Sequence, residues 1–432
     1  MGRFSKKNCK IMYNQEKALL YDIETSTLFK IPYEYAEYIK FIQEHKSESD
    51  SEYLKLQDEL EKVLTNKEKV IPTHPNSFVD GILDKLTINV TGNCNLRCKY
   101  CYAGYGEYSG YENRNMHPEE AVKYIEQLVI GRFKHIRNVQ FFGGEPLLAI
   151  ETISVICQEF EQLVARGILE KVPRYCMISN FTLMNENIKD VIGKYNISVT
   201  VSIDGPKEIN DSLRIYGNGQ GTFDDILINI FECKENIKAI EATYTPNHAL
   251  HGWNVEETRN YLSKEFQIGR KYIAVIPALG NNEYCFSKGD DIQYGEEEAE
   301  VNVDNAYILR AVKKRYQCDL LCNAGYNTLA MQVNGDLYPC HMYELDKDFI
   351  MGSYDESTDD SYGNIKELSE AVYQKMTCVN KINNEDCRVC WLRNICHMCP
   401  ANNLITGTYG KRDQENCDNL RKKSAELLLS VM

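Results

Sequence analysis

Three cysteines stand in the run Cys94-Asn95-Leu96-Arg97-Cys98-Lys99-Tyr100-Cys101, directly after a strand-like stretch ending Val90-Thr91. Thiolate is the ligand that iron–sulfur clusters take. Three close thiolates can hold three irons of a 4Fe–4S cube and leave the fourth open. Structural zinc fills four positions, and no fourth ligand residue lies beside this trio. Zinc or free thiols remain the competing reading of the motif. A second array follows far downstream: Cys322, Gly335 and Cys340, then Cys387-X2-Cys390-X5-Cys396-X2-Cys399, and Cys417. Its two CX2C pairs would also suit a zinc ribbon. In all there are 17 cysteines, eight before residue 300 and nine between Cys318 and Cys417. With no export signal in a chain of 432 residues, such cysteines are ligands or redox groups rather than disulfides.

These residues need elements to position them. Strand patterns fall at Lys85–Thr91, Asn138–Phe142, Arg174–Ser179, Ile197–Asp204, Ile240–Thr245 and Lys271–Pro277. Amphipathic helical patterns lie between them, at Pro118–Ile130, Thr152–Ala165, Phe223–Lys234 and Val255–Lys264. Strand and helix in repeated alternation mean α/β architecture, a parallel sheet with helices outside. Parallel βα units put ligands at the carboxyl ends of their strands. Polar motifs follow the strands in that place: Gly143-Gly144-Glu145-Pro146, Ser179-Asn180, and Ser202-Ile203-Asp204-Gly205-Pro206 with Asp211 and Arg214 beyond. Glycines at such a turn would let a ligand approach the backbone.

Composition is that of a folded soluble protein, 43% hydrophobic and 26% charged, and the length allows two or three domains. A formal charge of −14 argues against a sequence-independent grip on nucleic acid. No N-terminal apolar region and no run of eighteen apolar residues is present, which reads as a cytoplasmic protein with no membrane span. Cys9, Cys157, Cys176 and Cys233 stand apart from any ligand grouping and read as small buried hydrophobes.

The CX3CX2C spacing, the aromatic before its last cysteine and the three later motifs in order resemble the radical S-adenosylmethionine (SAM) superfamily. The fold this implies is a partial (β/α)6 TIM-like barrel. The resemblance assigns Cys94, Cys98 and Cys101 to a SAM-binding 4Fe–4S cluster. It further assigns Tyr100, Gly143, Gly144, Glu145, Pro146, Ser179, Asn180, Ser202, Asp204 and Arg214 to SAM, with Glu145 at the methionine amino group. The implied chemistry is reductive cleavage of SAM to a deoxyadenosyl radical, which abstracts hydrogen from a substrate C–H bond.

The downstream array looks like the SPASM extension of peptide-modifying radical SAM enzymes, which carries two auxiliary 4Fe–4S clusters. By that likeness Cys387, Cys390, Cys396 and Cys417 hold one. Cys322, Cys340 and Cys399 hold the other, with Cys318 as fourth ligand, or Cys378, Cys285 or an open site in its place. The pattern departs from the family in having two residues, not three, before Cys399. His341 and His397 would be neighbours of ligands rather than ligands.

Residues 10–70 read as three short strands and then helices, similar to the winged-helix-like module with which maturases of ribosomally made peptides bind a leader. Strand addition is the physical mode. A subdomain that merely caps the barrel is the plainer alternative. The expected organisation is therefore a recognition-like module over 1–73, a radical SAM core over 80–285, an acidic bridge over 286–317, and an auxiliary-cluster domain over 318–432.

Glu241-Ala242-Thr243-Tyr244-Thr245 is similar to a stretch of thioether-forming maturases of the sactipeptide and ranthipeptide type. The implied partners are a precursor peptide and an electron donor such as flavodoxin or ferredoxin. The alternatives are an anaerobic sulfatase maturase, a carbon–carbon crosslinking or epimerising enzyme, and, outside catalysis, an iron–sulfur electron carrier or a zinc-organised scaffold. The 93 residues before Cys94 argue against the sulfatase maturase.

Overall fold

The computed structural model describes residues 9–45, 81–106, 113–287, 290–295, 303–315, 321–357, 384–396, 398–401 and 414–431, with isolated positions between them. The N-terminal part is an antiparallel meander of β1 (Cys9–Tyr13), β2 (Ala18–Asp22) and β3 (Thr27–Ile31), followed by α1 (Tyr33–His45). The stretch expected to be helical through Leu54–Leu64 and the linker after it lie largely outside the described residues.

The two-residue β4 (Ile82–Leu83) pairs with β6 (His135–Ile136) beside the main sheet. That sheet begins with β5 (Lys85–Thr91), β7 (Asn138–Gly143), β8 (Arg174–Ser179), β9 (Ser198–Ser202), β10 (Ile237–Tyr244) and β11 (Ile273–Pro277). These six lie side by side in chain order, all parallel. Their connections are α2 (Pro118–Val129), α3 (Ile150–Ala165), α4 (Glu186–Lys194), α5 (Lys207–Leu213), α6 (Phe223–Glu232), α7 (Pro246–Leu250) and α8 (Val255–Phe266). Local chemistry marks their starts. Pro118 opens α2 behind a His117/Glu120 capping box, and Asn254 and Glu257 form another at α8.

Alternation sorts each strand's side chains. Leu86, Ile88 and Val90 of β5 are buried under the helices together with Val139, Met177, Val199 and Ile240. Thr87, Asn89 and Thr91 occupy the other face of the same strand and are fully buried too.

The cysteine-rich region sends β12 (Thr328–Met331) into the main sheet, parallel to β5, and β13 (Leu337–Tyr338) antiparallel beyond it. Leu329, Ala330, Met331, Leu337, Tyr338, Tyr343, Phe349 and Met351 join the principal core. The acidic bridge contains a helix, α9 (Val303–Lys313), whose Ile308 and Ala311 are buried. After the short α10 (Glu385–Val389), the closing helix is α11 (Gln414–Val431).

A second apolar cluster joins the N-terminal meander to this end of the chain. Met12, Leu19, Tyr21 and Ile23 pack with Ile308, Ala311, Trp391, Leu392, Ile395, Leu427 and Leu428. Asn394 Nδ2 donates to the Ile23 carbonyl at 2.5 Å and to Ser26 Oγ at 2.9 Å. Among the described residues, no helix is long and apolar enough to cross a membrane.

Candidate active site

The loop after β5 carries Cys94, Cys98 and Cys101, and backbone pairing fixes its path. Arg97 N–H donates to the Ile215 carbonyl at 2.7 Å and Lys99 N–H to that of Leu213 at 3.1 Å. The segment containing Arg214 is thereby laid along the cysteine loop. Leu96 N–H points at Cys94 Sγ at 3.4 Å, and Tyr105 N–H at Cys101 Sγ at 3.3 Å. The second contact uses a left-handed Tyr105, φ 64°, whose ring lies under the Arg97 guanidinium. The three thiols are close enough to act on one another. Burial pushes Cys94 up to about 11, with Glu145 and Cys101 adding and Leu96 N–H and Arg214 opposing. Burial pushes Cys98 up to about 12, Arg214 again opposing and Asp204, Cys101 and Cys94 adding.

Gly143 and Gly144 let the turn after β7 pack closely against the backbone of Thr91, Asn93 and Cys94. Gly143 sits at φ +126°, a backbone region open to glycine. A Cβ on Gly144 would lie 2.5 Å from the carbonyl carbon of Asn93 and 3.0 Å from Cys94 N. Glu145 N–H then donates to the Asn93 carbonyl at 2.8 Å.

The Glu145 carboxylate, 1% exposed, is held by three donors: Leu147 N–H at 3.0 Å, Ser179 Oγ at 2.7 Å and Asn180 N–H at 2.7 Å. Burial raises its pKa and these donors restrain the rise. Ser179 Oγ also accepts from Phe181 N–H, while the Asn180 amide bonds to Asn95 and Thr182. The Ser179 and Asn180 side chains, which the resemblance assigns to SAM, also fix Glu145 and the cysteine loop.

Tyr100, Asp204 and Arg214 form one buried cluster. The Tyr100 hydroxyl donates to Asp204 Oδ2 at 2.5 Å and accepts from Arg214 Nη1 at 2.6 Å. Asp204 Oδ1 accepts from Thr243 N–H at 2.9 Å and lies 3.8 Å from Arg214. Asp211 does not join this group. Its Oδ1 caps α6 through Thr222 and Phe223 N–H, both at 2.8 Å. Ser202 is half-buried at the end of β9, beside Glu241 in register on β10.

Arg214 Nε is buried without a hydrogen-bond partner. This orphaned donor of a buried cation, close to the Cys94 and Cys98 thiols, fits a bound anion; the thiolate-ligated cube and the carboxylate of SAM are both of that kind. Among the described residues, no three His, Cys, Asp or Glu side chains converge on a single-ion site.

Two further thiol groupings stand in the C-terminal region. Burial raises Cys340, with Cys322 and Cys399 adding. Burial raises Cys396, with Lys381 opposing and Cys390 and Cys417 adding. Arg421 Nη1 lies 3.7 Å from Cys390 Sγ, and Cys387 N–H donates to Asn384 Oδ1 at 3.2 Å. Cys318, Cys378 and His397 lie outside the described residues. Cys285 is buried in its own loop, its thiol restrained by Asn282. His341 packs edge-on against Phe142, its ring centroid 5.1 Å away. Of the isolated cysteines, Cys9 and Cys157 are buried as expected, whereas Cys176 and Cys233 are only half-buried. Sequence reasoning missed His248, whose Nε2 lies 2.7 Å from the Asp204 carbonyl, and the Asn89–Glu344 contact. Neither residue belongs to a spaced motif.

Residues 88–264, from within β5 to within α8, match the Radical SAM superfamily. An uncharacterized protein of Methanocaldococcus jannaschii is 35% identical over 36% of this chain and 50% of its own length. The radical SAM cyclopropyl synthase TigE of Paramaledivibacter caminithermalis is 30% identical over 34% of this chain and 32% of its own. The chain thus spans half or less of these two relatives. The cysteine-type anaerobic sulfatase-maturating enzyme of Clostridium novyi is 24% identical over 78% of this chain and 93% of its own. Among solved structures, native anSMEcpe with bound AdoMet shares the fold at a TM-score of 0.55 and 18% identity, over 73% of this chain and 89% of that one. The same protein with AdoMet and the Cp18Cys peptide gives 0.52 and 20%, over 77% and 91%.

Proposed function

We propose that the chain is a radical SAM enzyme that installs an intramolecular thioether, cysteine sulfur to carbon, in a ribosomally made precursor peptide. The observation that carries this reading is the grouping of thiols into three sets: Cys94/Cys98/Cys101 with Arg214, Cys322/Cys340/Cys399, and Cys390/Cys396/Cys417. Cys387 completes the last set, and the first set's neighbours, Glu145 and Ser202, would meet SAM. Three 4Fe–4S clusters and SAM are the cofactors this arrangement fits, inside a partial (β/α)6 barrel. When bound, they supply a hydrogen-abstracting deoxyadenosyl radical and accept electrons. The protein's part is placement. Tyr100 and Asp204 hold Arg214 against the thiols, and the donors around Glu145 fix its carboxylate before any ligand arrives.

The atoms balance as follows. A thioether would require the substrate to lose a hydrogen atom from carbon, a proton from the thiol and one electron; Cys94, Cys98 and Cys101 would hold the group that takes the hydrogen atom, and the Cys322 and Cys390 sets those that take the electron. The N-terminal meander would present a strand edge to the leader, and a flavodoxin or ferredoxin would deliver the reducing electron. Supporting a peptide substrate, the fold is shared with anSMEcpe, which has been solved with a bound peptide.

Formylglycine formation on a sulfatase is the second reading, favoured by the span of the match to the Clostridium novyi enzyme. The deciding experiment is anaerobic. Reconstituted protein, SAM, reductant and a candidate Cys-containing precursor are analysed by mass spectrometry. Deoxyadenosine with a peptide lighter by two hydrogens and one thiol no longer alkylatable supports the thioether. Deoxyadenosine with an unchanged peptide removes this substrate, and no deoxyadenosine from cluster-loaded protein removes the enzyme.

A further inference from the structure

Two buried acceptors face each other across the join between β5 and the turn after Cys340. Asn89 on β5 and Glu344 are each 0% exposed. Asn89 Nδ2 donates to Glu344 Oε2 at 2.9 Å, a contact spanning 255 positions of the chain. Asn89 Oδ1 and Glu344 Oε1 both remain without a partner. An ionised carboxylate can only accept hydrogen bonds, so it cannot satisfy the amide oxygen and would itself keep a bare lone pair in the interior. A single proton removes both defects, because a carboxylic acid and a primary amide pair cyclically, each donating once and accepting once.

We infer that Glu344 is a neutral carboxylic acid paired with Asn89, and that this pair positions the Cys340 turn on the strand feeding the Cys94 loop. Asn89 lies two residues before Thr91, the end of β5, and Glu344 lies four residues after Cys340. The pair therefore ties one thiol set to another through uncharged hydrogen bonds. Its surroundings contain little that would charge it. Burial is the main influence on Glu344, pushing it up to about 8, and the Asn89 bond is the only counterweight. On its own turn the titratable rings are His341, which burial, with Lys85 adding, lowers to about 3, and Tyr343, fully buried. From β5 the other polar groups on that face are Thr87 and Thr91, both buried and uncharged. The inference concerns how the chain holds its sites and stands whichever reaction they catalyse.

The sign of the pH dependence follows. Folded protein keeps the proton until about pH 8, whereas an unfolded Glu releases it near 4.5. Wild-type stability therefore declines as pH rises through that window. Glu344→Gln keeps the shape and the reciprocal hydrogen bonds without an ionisable group. Cluster-loaded wild type and Glu344→Gln are compared by denaturant midpoint from pH 5 to pH 9, and by difference infrared spectroscopy. The expected result is a gap in favour of the Gln variant that widens up to about pH 8 and then levels. A protonated-acid carbonyl band present in wild type and lost in the variant accompanies it. A Gln variant less stable by a constant amount at every pH would show that Glu344 is ionised and overturn the inference. So would a gap that does not move with pH, or a wild type lacking the acid band. Glu344→Leu adds a control: it leaves the Asn89 amide unpaired and should lower the midpoint across the whole range.

Discussion

Gly144→Ala is the sharpest test of how the cysteine loop is held. A methyl group there would sit 2.5 Å from the Asn93 carbonyl carbon, nearer still to its oxygen, and 3.0 Å from Cys94 N. Ordinary contact begins at 3.4 Å, so the Asn93–Cys94 backbone must retreat by about 1 Å. Both neighbours are backbone, so no side chain can swing aside. Overpacking of this kind costs about 1–3 kcal/mol. A misplacement of about 1 Å at a reacting centre costs about 100-fold in rate. The variant should fold, keep the C-terminal iron, and lose about two orders of magnitude in deoxyadenosine formation. The assay pairs iron and sulfide determination and electron paramagnetic resonance with chromatographic quantification of deoxyadenosine. Wild-type SAM cleavage from Gly144→Ala would refute the account, since the loop would then tolerate a shift that the packing forbids.

Other substitutions probe neighbouring features. Tyr100→Phe removes the hydrogen bonds to Asp204 and Arg214 and leaves two buried charges less well satisfied. The expected loss is about 3 kcal/mol of stability, read as a lower denaturant midpoint with cluster content retained. Replacing Cys94, Cys98 and Cys101 together with Ala should abolish deoxyadenosine formation while auxiliary iron persists, and SAM cleavage by that variant would end the assignment. Asn394→Ala removes two hydrogen bonds to the meander, from Ile23 and Ser26. It should cost about 1–2 kcal/mol and speed proteolytic release of the N-terminal segment, as followed by gel electrophoresis. Deleting residues 1–72 should weaken precursor binding tenfold or more by calorimetry and leave SAM cleavage in place; unchanged affinity would discard the leader-binding role.

The six parallel strands were legible because each is a short apolar run bounded by turn residues, and β5 and β8 match to the residue. What escaped notice was short or non-local. β12 is four residues long, and its partner β5 lies more than two hundred positions earlier, where no local pattern points. α5, Lys207–Leu213, buries only Ile209, Asn210 and Leu213, too few for a periodic signal. At the site, cysteines announce themselves by type and spacing. The supporting contacts do not, because backbone N–H groups such as those of Leu147, Asn180 and Thr243 make many of them. The same holds for Asp211, whose acceptance of the Thr222 and Phe223 N–H groups at the start of α6 no sequence pattern announces.

The pairing of β12 with β5 also sets a timetable for synthesis. Lys85 emerges from the ribosome long before Thr328, its partner in the sheet. At ordinary elongation rates of about 5–20 residues per second, the interval is roughly 12–50 s. Throughout it, the strand that leads into the three-cysteine loop has its β12-facing edge bare, a template for pairing with another nascent chain. The strand that leads into the cysteine loop is thus the one whose shelter is translated late. Chaperone dependence and the yield of soluble protein should accordingly respond to the speed at which residues 85–331 are made.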